Sequence, residues 1–567
     1  MAEITGGELI LKCLAKENVE CIFGISDGAY KPLLAKMADY GMRWVSPRHE
    51  AAAVFMAQGY YKTSGRIPVV LAGEGPGAAN LISGIISAKE EGVPVIAITG
   101  QCRQNSIYPF RSGVHQGVNQ YEIFRPNTKW NAVAHSWDRL PEIIRTAYRM
   151  ATTGRPGPVH IDVSSEIFHG LGDDANVRIL DPGQYRAPLP GPSQSQIEQT
   201  AELIINAKNP LLIGGTGVLN SGGWSEFVQL VELLNCAATT TSAARGIISD
   251  DHPNSLISFG SGAMTARKQA DVVLAIGTRL GDLDLPFDPY WADPDKQKII
   301  QVDTDPSNIG VNRPISIGIV ADAKMMMMSL VAELKKRMVN AFDGSIVRDY
   351  KALQDVWRDG LLQPVKDFTG QNIHPVQSIE AAQRIFPPDA INVADGGNTS
   401  LFNIVYSRFT EPRTMLGSFE FGHLGTGISQ AIGAKLVNPE KDVYVITGDG
   451  AAGFHIMEME TAVREKTKIT VLVHAEGSYS MVAAGQALYL GDMSKIVGCS
   501  LHPVRWDKIA EGIGCHAEYV DNLEQLPEAI ERAKASSLPG LVHIVTDKDA
   551  TLIPPMAKEF SEVMTGA

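Results

Sequence analysis

Short apolar runs closed by glycine or an acid punctuate this chain. In the first 180 residues, Cys21-Ile22-Phe23, Trp44-Val45-Ser46, Val69 to Ala72 and Val95 to Thr99 read as strands. Helical stretches lie between them, one from about Gly6 to Glu17 and one opening at Glu50 in a run of alanines. Strands that alternate with helices and end in glycine predict a parallel, doubly wound sheet. The pattern recurs at Leu211 to Ile213, Val272 to Ile276 and Ile299 to Val302. It recurs again at Ile391 to Val393, Val443 to Ile446, Ile469 to Val473 and Leu541 to Val545. The fold class is therefore α/β, with three doubly wound parallel-sheet domains. Residues 181–195, DPGQYRAPLPGPSQS, are proline- and glycine-rich without apolar periodicity and predict a linker. Residues 336–374 are polar and partly helical, a second connection. The expected domains are 1–180, 196–335 and 375–567, the last with a short tail after Pro555. No period of 20–50 residues repeats, which excludes a solenoid.

Bulk properties narrow the function. The 567 residues suffice for roughly three or four domains, and 44% hydrophobic with 20% charged residues is ordinary for a globular protein with large cores. A net charge of -13 disfavours a nucleic-acid partner, which would want a basic face. No apolar run reaches the roughly 18–20 residues of a membrane span. The first residues carry Glu3 and Glu8 and no long apolar centre, so no secretion signal is expected. The six cysteines are scattered with no CxxC pair, which fits reduced thiols in a cytoplasmic protein.

The richest stretch runs from Val443 to Met481. Its two apolar strands are followed by Gly448-Asp449-Gly450 and by Ala475-Glu476-Gly477-Ser478-Tyr479, and a helical segment from Met457 to Arg464 lies between them. In a parallel sheet both acids reach the rim where open α/β sheets bind ligands. A carboxylate between two glycines, beside helix-starting N–H groups, suits a hard cation that bridges to a diphosphate. Gly-Asp-Gly also reads as a tight turn with aspartate capping a helix. Glu50 is favoured at a helix start. It is either a first-turn charge facing water or, beside Ala51, Ala52 and Ala53, a buried acid able to share a proton with a ligand. The turn from Gly73 to Asn80 permits close backbone approach to a ring or phosphate, and equally close helix–strand packing. Gly214-Gly215-Thr216-Gly217-Val218 lacks a full dinucleotide fingerprint. His115-Gln116 lies in a polar loop and joins a site only if that loop folds over one.

Together these pieces resemble the thiamine-diphosphate enzymes of the acetolactate synthase, benzaldehyde lyase and 2-hydroxyacyl-CoA lyase group. The specific matches are Arg48-His49-Glu50, the glycine turn from Gly73 to Asn80, and Gly448-Asp449-Gly450. The resemblance covers nearly the whole chain and implies pyrimidine-binding, central and diphosphate-binding domains in that order. It implies thiamine diphosphate and Mg2+ as cofactors, with FAD or ADP as a further option in the central domain. Glu50 would hydrogen-bond the aminopyrimidine N1′. Gly73, Pro76 and Asn80 would lie against the cofactor. Leu424, in the segment from Gly422 to Gly427, would prop it in its bent form. Asn398, Thr399, Gly448, Gly450 and Ala451 would bind the diphosphate, and Asp449, Glu476 and the Ser478 carbonyl would hold the metal. Asp27, Gln116, His423 and Tyr479, with Ser26, Gly28 and Ala29, would line the reacting centre, and Asp27 and His423 are the best proton carriers. The group places the cofactor between the first domain of one subunit and the third domain of another, so a homodimer or homotetramer is expected.

Three departures qualify the match. The group usually has asparagine at the position of Glu476. The paired histidines of pyruvate decarboxylases are absent, since Gln116 follows His115. The segment after Tyr479 lacks the tryptophan and basic residues associated with true acetolactate synthases. The expected function is a carbon–carbon lyase or ligase acting on a 2-oxo acid or 2-hydroxy ketone through a thiazolium-bound carbanion. A 2-hydroxyacyl-CoA lyase is the alternative, and a non-catalytic cofactor-binding homologue is the alternative of another class.

Overall fold

The computed structural model describes residues 3–107, 109–281, 291–337 and 340–551; the expected tail after Pro555 lies outside them. Three parallel six-stranded sheets form the framework. The first orders its strands Arg43–Val45, Cys21–Gly24, Val69–Ala72, Ile96–Gln101, Val159–Ser164 and Trp130–Ala134. The third orders Met415–Leu416, Ile391–Asp395, Val443–Gly448, Thr470–Ala475, Gly540–Val545 and His516–Val520. By sequence position both read second, first, third, fourth, sixth, fifth. The central sheet differs, running outward in both directions from Pro210–Gly214. A short antiparallel pair, Ile4 opposite Gly172, fastens the start of the chain to the end of the first domain.

The central strands are buried on both faces, which is why most read as apolar runs: each residue of Val69–Ala72 and of Ile96–Gln101 is buried. In both outer sheets the strand order reverses between the first and third strands. Crevices for ligands open at such switch points, beyond the carboxyl ends of the strands. The glycine turn from Gly73 stands at one of them and Asp449 at the other.

The helix Glu50–Ser64 is buried from Ala51 through Tyr61. Helix Pro76–Glu90 covers one side, where a Cβ on Gly84 would lie 2.6 Å from Val54 Cβ. Helix Gly427–Val437 of the third domain covers another. A Cβ on Gly59 would lie 2.0 Å from Gln430 O, and one on Gly433 only 1.8 Å from Met56 O. Glycine at both positions lets the two helix backbones touch, and the first and third domains share a continuous core across this seam.

The two connecting stretches are structured. Asp181 pairs with Lys16 at 2.9 Å, while Tyr185 and Arg186 both reach Glu17, so the start of the proline-rich segment is strapped to the first domain. Helix Ser345–Lys366 docks on the central domain: Tyr350 Oη accepts from Asn209 Nδ2 (2.7 Å) and donates to Gln269 Oε1 (3.0 Å). The polar composition of this helix reflects its wide exposure. A stripe of Val347, Tyr350 and Gln354 makes the contact.

Candidate active site: two half-sites on two matching sheets

Asp449 follows the strand Val443–Gly448 directly and opens the helix Asp449–His455. The turn is the strand-to-helix turn of the capping reading, with Gly448 rather than Asp449 at the cap, and a second helix, Glu458–Arg464, follows close to the expected Met457 to Arg464. Glu476 follows the neighbouring strand, and the register pairs Gly448 with His474, so both acids emerge on one rim. Asp449 is buried, and its Oδ1 and Oδ2 accept from the N–H groups of Gly450 (2.8 Å) and Gly477 (2.7 Å). Burial raises its carboxyl above the ordinary carboxylate range, against backbone N–H groups that pull it down. The Ser478 segment is held by Leu501 N–H donating to Gly477 O and Tyr479 N–H donating to Cys499 O, each at 2.8 Å. A Cβ on Gly450 would lie 2.8 Å from the Tyr479 ring, and one on Gly448 would lie 3.0 Å from Thr399 Oγ1. Asn398 and Thr399, both buried, begin the helix Asn398–Tyr406 beside them.

The segment carrying Gly422, His423 and Leu424 is fixed from below by Asp395. This buried acid accepts from the N–H groups of Gly425 (3.0 Å) and Gly427 (3.1 Å) and from Thr447 Oγ1 (3.2 Å). Leu424 and His423 are half-buried, and His423 Nδ1 donates to Leu424 O (2.8 Å).

The first-domain cluster is built on its own switch point. Glu50 is half-buried and accepts from Asn80 Nδ2 at 2.9 Å, while His49 Nδ1 caps the helix by accepting from Ala51 N–H. Asp27 faces Gly73 closely: a Cβ there would lie 2.4 Å from Asp27 Oδ2. Gly75 and Gln116 both adopt positive φ and pack together, a Cβ on Gly75 falling 2.5 Å from Gln116 O. The loop of His115 and Gln116 therefore does fold over the glycine turn. Gln120 fixes it there. Its Oε1 accepts from Gly75 N–H (2.8 Å), and its Nε2 donates to Gly100 O and Asp162 Oδ1, each at 2.9 Å. Burial pushes Asp162 up to about 7 despite donors from Gln101, Gln120 and Thr99.

The comparisons with known proteins fit these two clusters. Profiles of the thiamine pyrophosphate enzymes match in three parts: the N-terminal TPP-binding domain over residues 4–123, the central domain over 197–330, and the C-terminal TPP-binding domain over 395–544. The chain is 31% identical to a probable acetolactate synthase large subunit of Methanocaldococcus jannaschii, across 97% of this chain and 93% of the relative. It is also 31% identical to the acetolactate synthase large subunit of Corynebacterium glutamicum, across 97% and 88%. To the acetolactate synthase of Mycobacterium leprae it is 30% identical, across 98% and 89%. The chain belongs to the thiamine pyrophosphate enzymes.

The residues of this acetolactate-synthase-like enzyme fit the cofactor's diphosphate end. Asp449 is a buried acid whose contacts are backbone N–H groups, so a divalent cation would supply the missing positive charge. Glycine at 448 and 450 lets Thr399 and the Tyr479 ring close on this turn. Among the described residues no three His, Cys, Asp or Glu side chains converge on a point, so a cation here would rely on the two acids, a backbone carbonyl and the diphosphate. The central domain is different. Gly217 N–H donates to Gly277 O (2.9 Å), and a Cβ on Gly217 would lie 2.5 Å from Gly277 Cα. The crevice there, lined by Thr278, Arg279, Asp303 and the first domain's Arg155, holds about 90 Å³.

Asp27, Glu50, Gly73, Asn80 and Gln116 come together in one cluster. Asn398, Thr399, Gly448, Asp449, Gly450, Glu476 and Tyr479 form another. The margins of the two domains meet within one chain. Glu458 Oε1 accepts from Arg48 N–H at 2.9 Å, the His49 and His455 rings lie 5.9 Å apart, and Phe55 packs on His423 with centroids 4.8 Å apart. Gln120, with Asn119 a conditional candidate of the same loop as His115 and Gln116, does join the site; sequence reasoning did not single out Glu458, Asp162 or Asp395. Asp395 alone carried a signal, since it ends a strand before two glycines much as Asp449 precedes one.

Proposed function

We propose that this thiamine pyrophosphate enzyme is a magnesium-dependent carbon–carbon lyase or ligase acting on a 2-oxo acid or 2-hydroxy ketone. The observation that carries the reading is Glu50, held by Asn80 at a helix start beside the glycine turn. A protein that merely bound the cofactor would have little use for that acid. When bound, thiamine diphosphate supplies the electron sink for breaking or making a carbon–carbon bond. Glu50 would hydrogen-bond the pyrimidine nitrogen, and Gly73, Pro76 and Asn80 would line the ring. Leu424 would pack against the cofactor, with Gly422 as the turn before it. Asn398, Thr399, Gly450 and Ala451 would receive the diphosphate; Asp449, Glu476 and the Ser478 carbonyl would hold magnesium. Asp27 and His423 move protons at the substrate oxygens, with Gln116 and Tyr479 orienting them.

The working unit in this reading is a homodimer or homotetramer in the cytoplasm, with each site shared between two subunits. Exposed Phe421, Phe454, Val482 and Tyr489 support it: they lie on the elements that carry Leu424, Asp449 and Tyr479, and a second subunit would cover them. All six cysteines are free, and no helix among the described residues is long and apolar enough to cross a membrane.

The chemistry is tested by supplying thiamine diphosphate and magnesium with pyruvate, benzoin, or formyl-CoA plus a ketone. Carbon dioxide, aldehyde or a new acyloin supports the proposal; bound cofactor with no product from any of them overturns it. Sharing of the site is tested by co-expressing Glu50→Gln with Asp449→Asn. Mixed dimers would regain one intact site, about a quarter of wild-type activity in a statistical mixture, and no recovery would place both residues in one subunit's site.

A further inference from the structure

The buried acid of the first domain, Asp162, is well supplied with donors. Asp162 accepts from Gln120 Nε2 at 2.9 Å and from Gln101 Nε2 at 3.3 Å, and it sits beneath the site as a fixed strut. Glu74, the odd residue of the turn Gly73-Glu74-Gly75-Pro76-Gly77, is different. Its Oε2 is buried with no hydrogen-bond partner. Its carboxyl group lies within hydrogen-bonding reach of the Asp27 carboxyl, where only a protonated member can donate. Two glycines make room for this arrangement. A Cβ on Gly73 would fall 2.4 Å from Asp27 Oδ2, and one on Gly100 would fall 3.3 Å from Glu74 Oε2.

The surroundings do not relieve the pair. Asp27 Oδ1 accepts from Ala29 N–H (2.8 Å). The nearby Cys102 thiol donates instead to His115 O (3.3 Å), and Tyr30 Oη donates to Ile25 O. Negative charge accumulates here: Asp27, Glu50 and Glu74 all raise Tyr30, and Glu74, Asp162 and Asp27 raise Cys102. Burial first, then the Asp27 charge and hydrogen bond, raise the Glu74 carboxyl, while its own backbone N–H and the His115 imidazole pull the other way. Lys31 stands beside Gly28, its Nζ 4.0 Å from where a Cβ would be.

We propose that Asp27 and Glu74 form a proton-sharing carboxyl pair that donates a proton to, and accepts it from, the substrate oxygen. A second carboxylate beside a half-buried one disfavours ionising both, so the pair binds a proton more readily than a lone exposed carboxylate. In the bond-forming direction the carboxyl O–H breaks as an O–H forms on the substrate's carbonyl oxygen. In the cleavage direction the same proton returns and the substrate O–H breaks. No electron is gained or lost. The role rests on the lyase or ligase reading above, whereas the existence of the pair does not.

Infrared difference titration of the holoenzyme, with 13C-labelled aspartate and glutamate, tests the pair directly. The expected result is a protonated carboxyl band that persists at pH 7 and is lost in both Glu74→Gln and Asp27→Asn. If no such band depends on these residues, the pair does not exist, whatever the enzyme's activity. Turnover against pH tests the role. Glu74→Gln should lose about 100-fold in kcat and the alkaline limb of the wild-type profile, with cofactor affinity within threefold. Glu74→Asp, which keeps an acid, should recover part of the rate. Wild-type turnover in Glu74→Gln across the pH range would overturn the role. If no substrate turns over at all, the infrared result still decides the pair.

Discussion

The first and third domains share one strand order and one switch point yet present opposite chemistries there. In the first domain the rim carries Glu50, Asp27 and Glu74 with the amides of Asn80, Gln116 and Gln120, a set of groups suited to proton exchange. In the third, Asp449 is gripped by the N–H groups of Gly450 and Gly477, and the buried Asn398 and Thr399 open a helix beside it. That surface suits a cation and an anion together. The fold supplies only the crevice; the residues just past the strand ends decide what it does. The central sheet makes the same point by contrast: past its central strands Gly217 and Gly277 are in direct backbone contact, and the crevice beside them carries Arg155 and Arg279.

The two domains are also packed together within one chain, and the strongest test strains that seam. Gly433→Ala places a methyl group 1.8 Å from the Met56 carbonyl oxygen. A clash with backbone has no side chain to yield, so a loss on the order of 3 kcal/mol is expected, seen as a thermal midpoint lower by several degrees. An unchanged midpoint would mean the helices are not in contact. A smaller effect is expected at the clip between the domains. Burial pushes Glu458 from an ordinary 4.5 to about 7. The folded chain thus holds this proton more tightly than the unfolded one, and stability falls as pH rises from about 4.5 to 7. Glu458→Gln should flatten that part of the melting curve against pH by about 2–3 kcal/mol; an identical slope in both proteins would refute the burial argument. Least is expected at Glu476. If this acid ligates magnesium, Glu476→Gln should raise the magnesium needed for half-activation by about tenfold, and an unchanged requirement would remove it from the metal site.

Much of this was visible in the chain itself. Strands ending in Asp449 and Glu476 announced a shared rim, and the glycine turn announced a close approach. Other features were hidden for physical reasons. The buried strand Val159–Ser164 carries His160 and Asp162, which break the apolar run; only Thr99, Gln101 and Gln120, distant in sequence, give them partners. Ala237–Thr240 is built of small residues, and Trp130–Ala134 is an edge strand left half-exposed, so neither shows a strong pattern. Glu458 lay within a helix that was expected, but nothing local tells that it reaches back to Arg48. The glycines around Asp449 read as a turn because tertiary packing, rather than helix propensity, holds the helix there.

The central claim is that the first domain activates the cofactor and the third domain anchors it. It is tested most directly by measuring cofactor affinity and turnover together in Glu50→Gln and Asp449→Asn, with magnesium present. The account predicts that Glu50→Gln binds thiamine diphosphate within a few-fold of wild type while turnover falls about 100-fold or more. It predicts that Asp449→Asn loses about tenfold or more in affinity. Wild-type turnover in Glu50→Gln, or undiminished binding in Asp449→Asn, would contradict it.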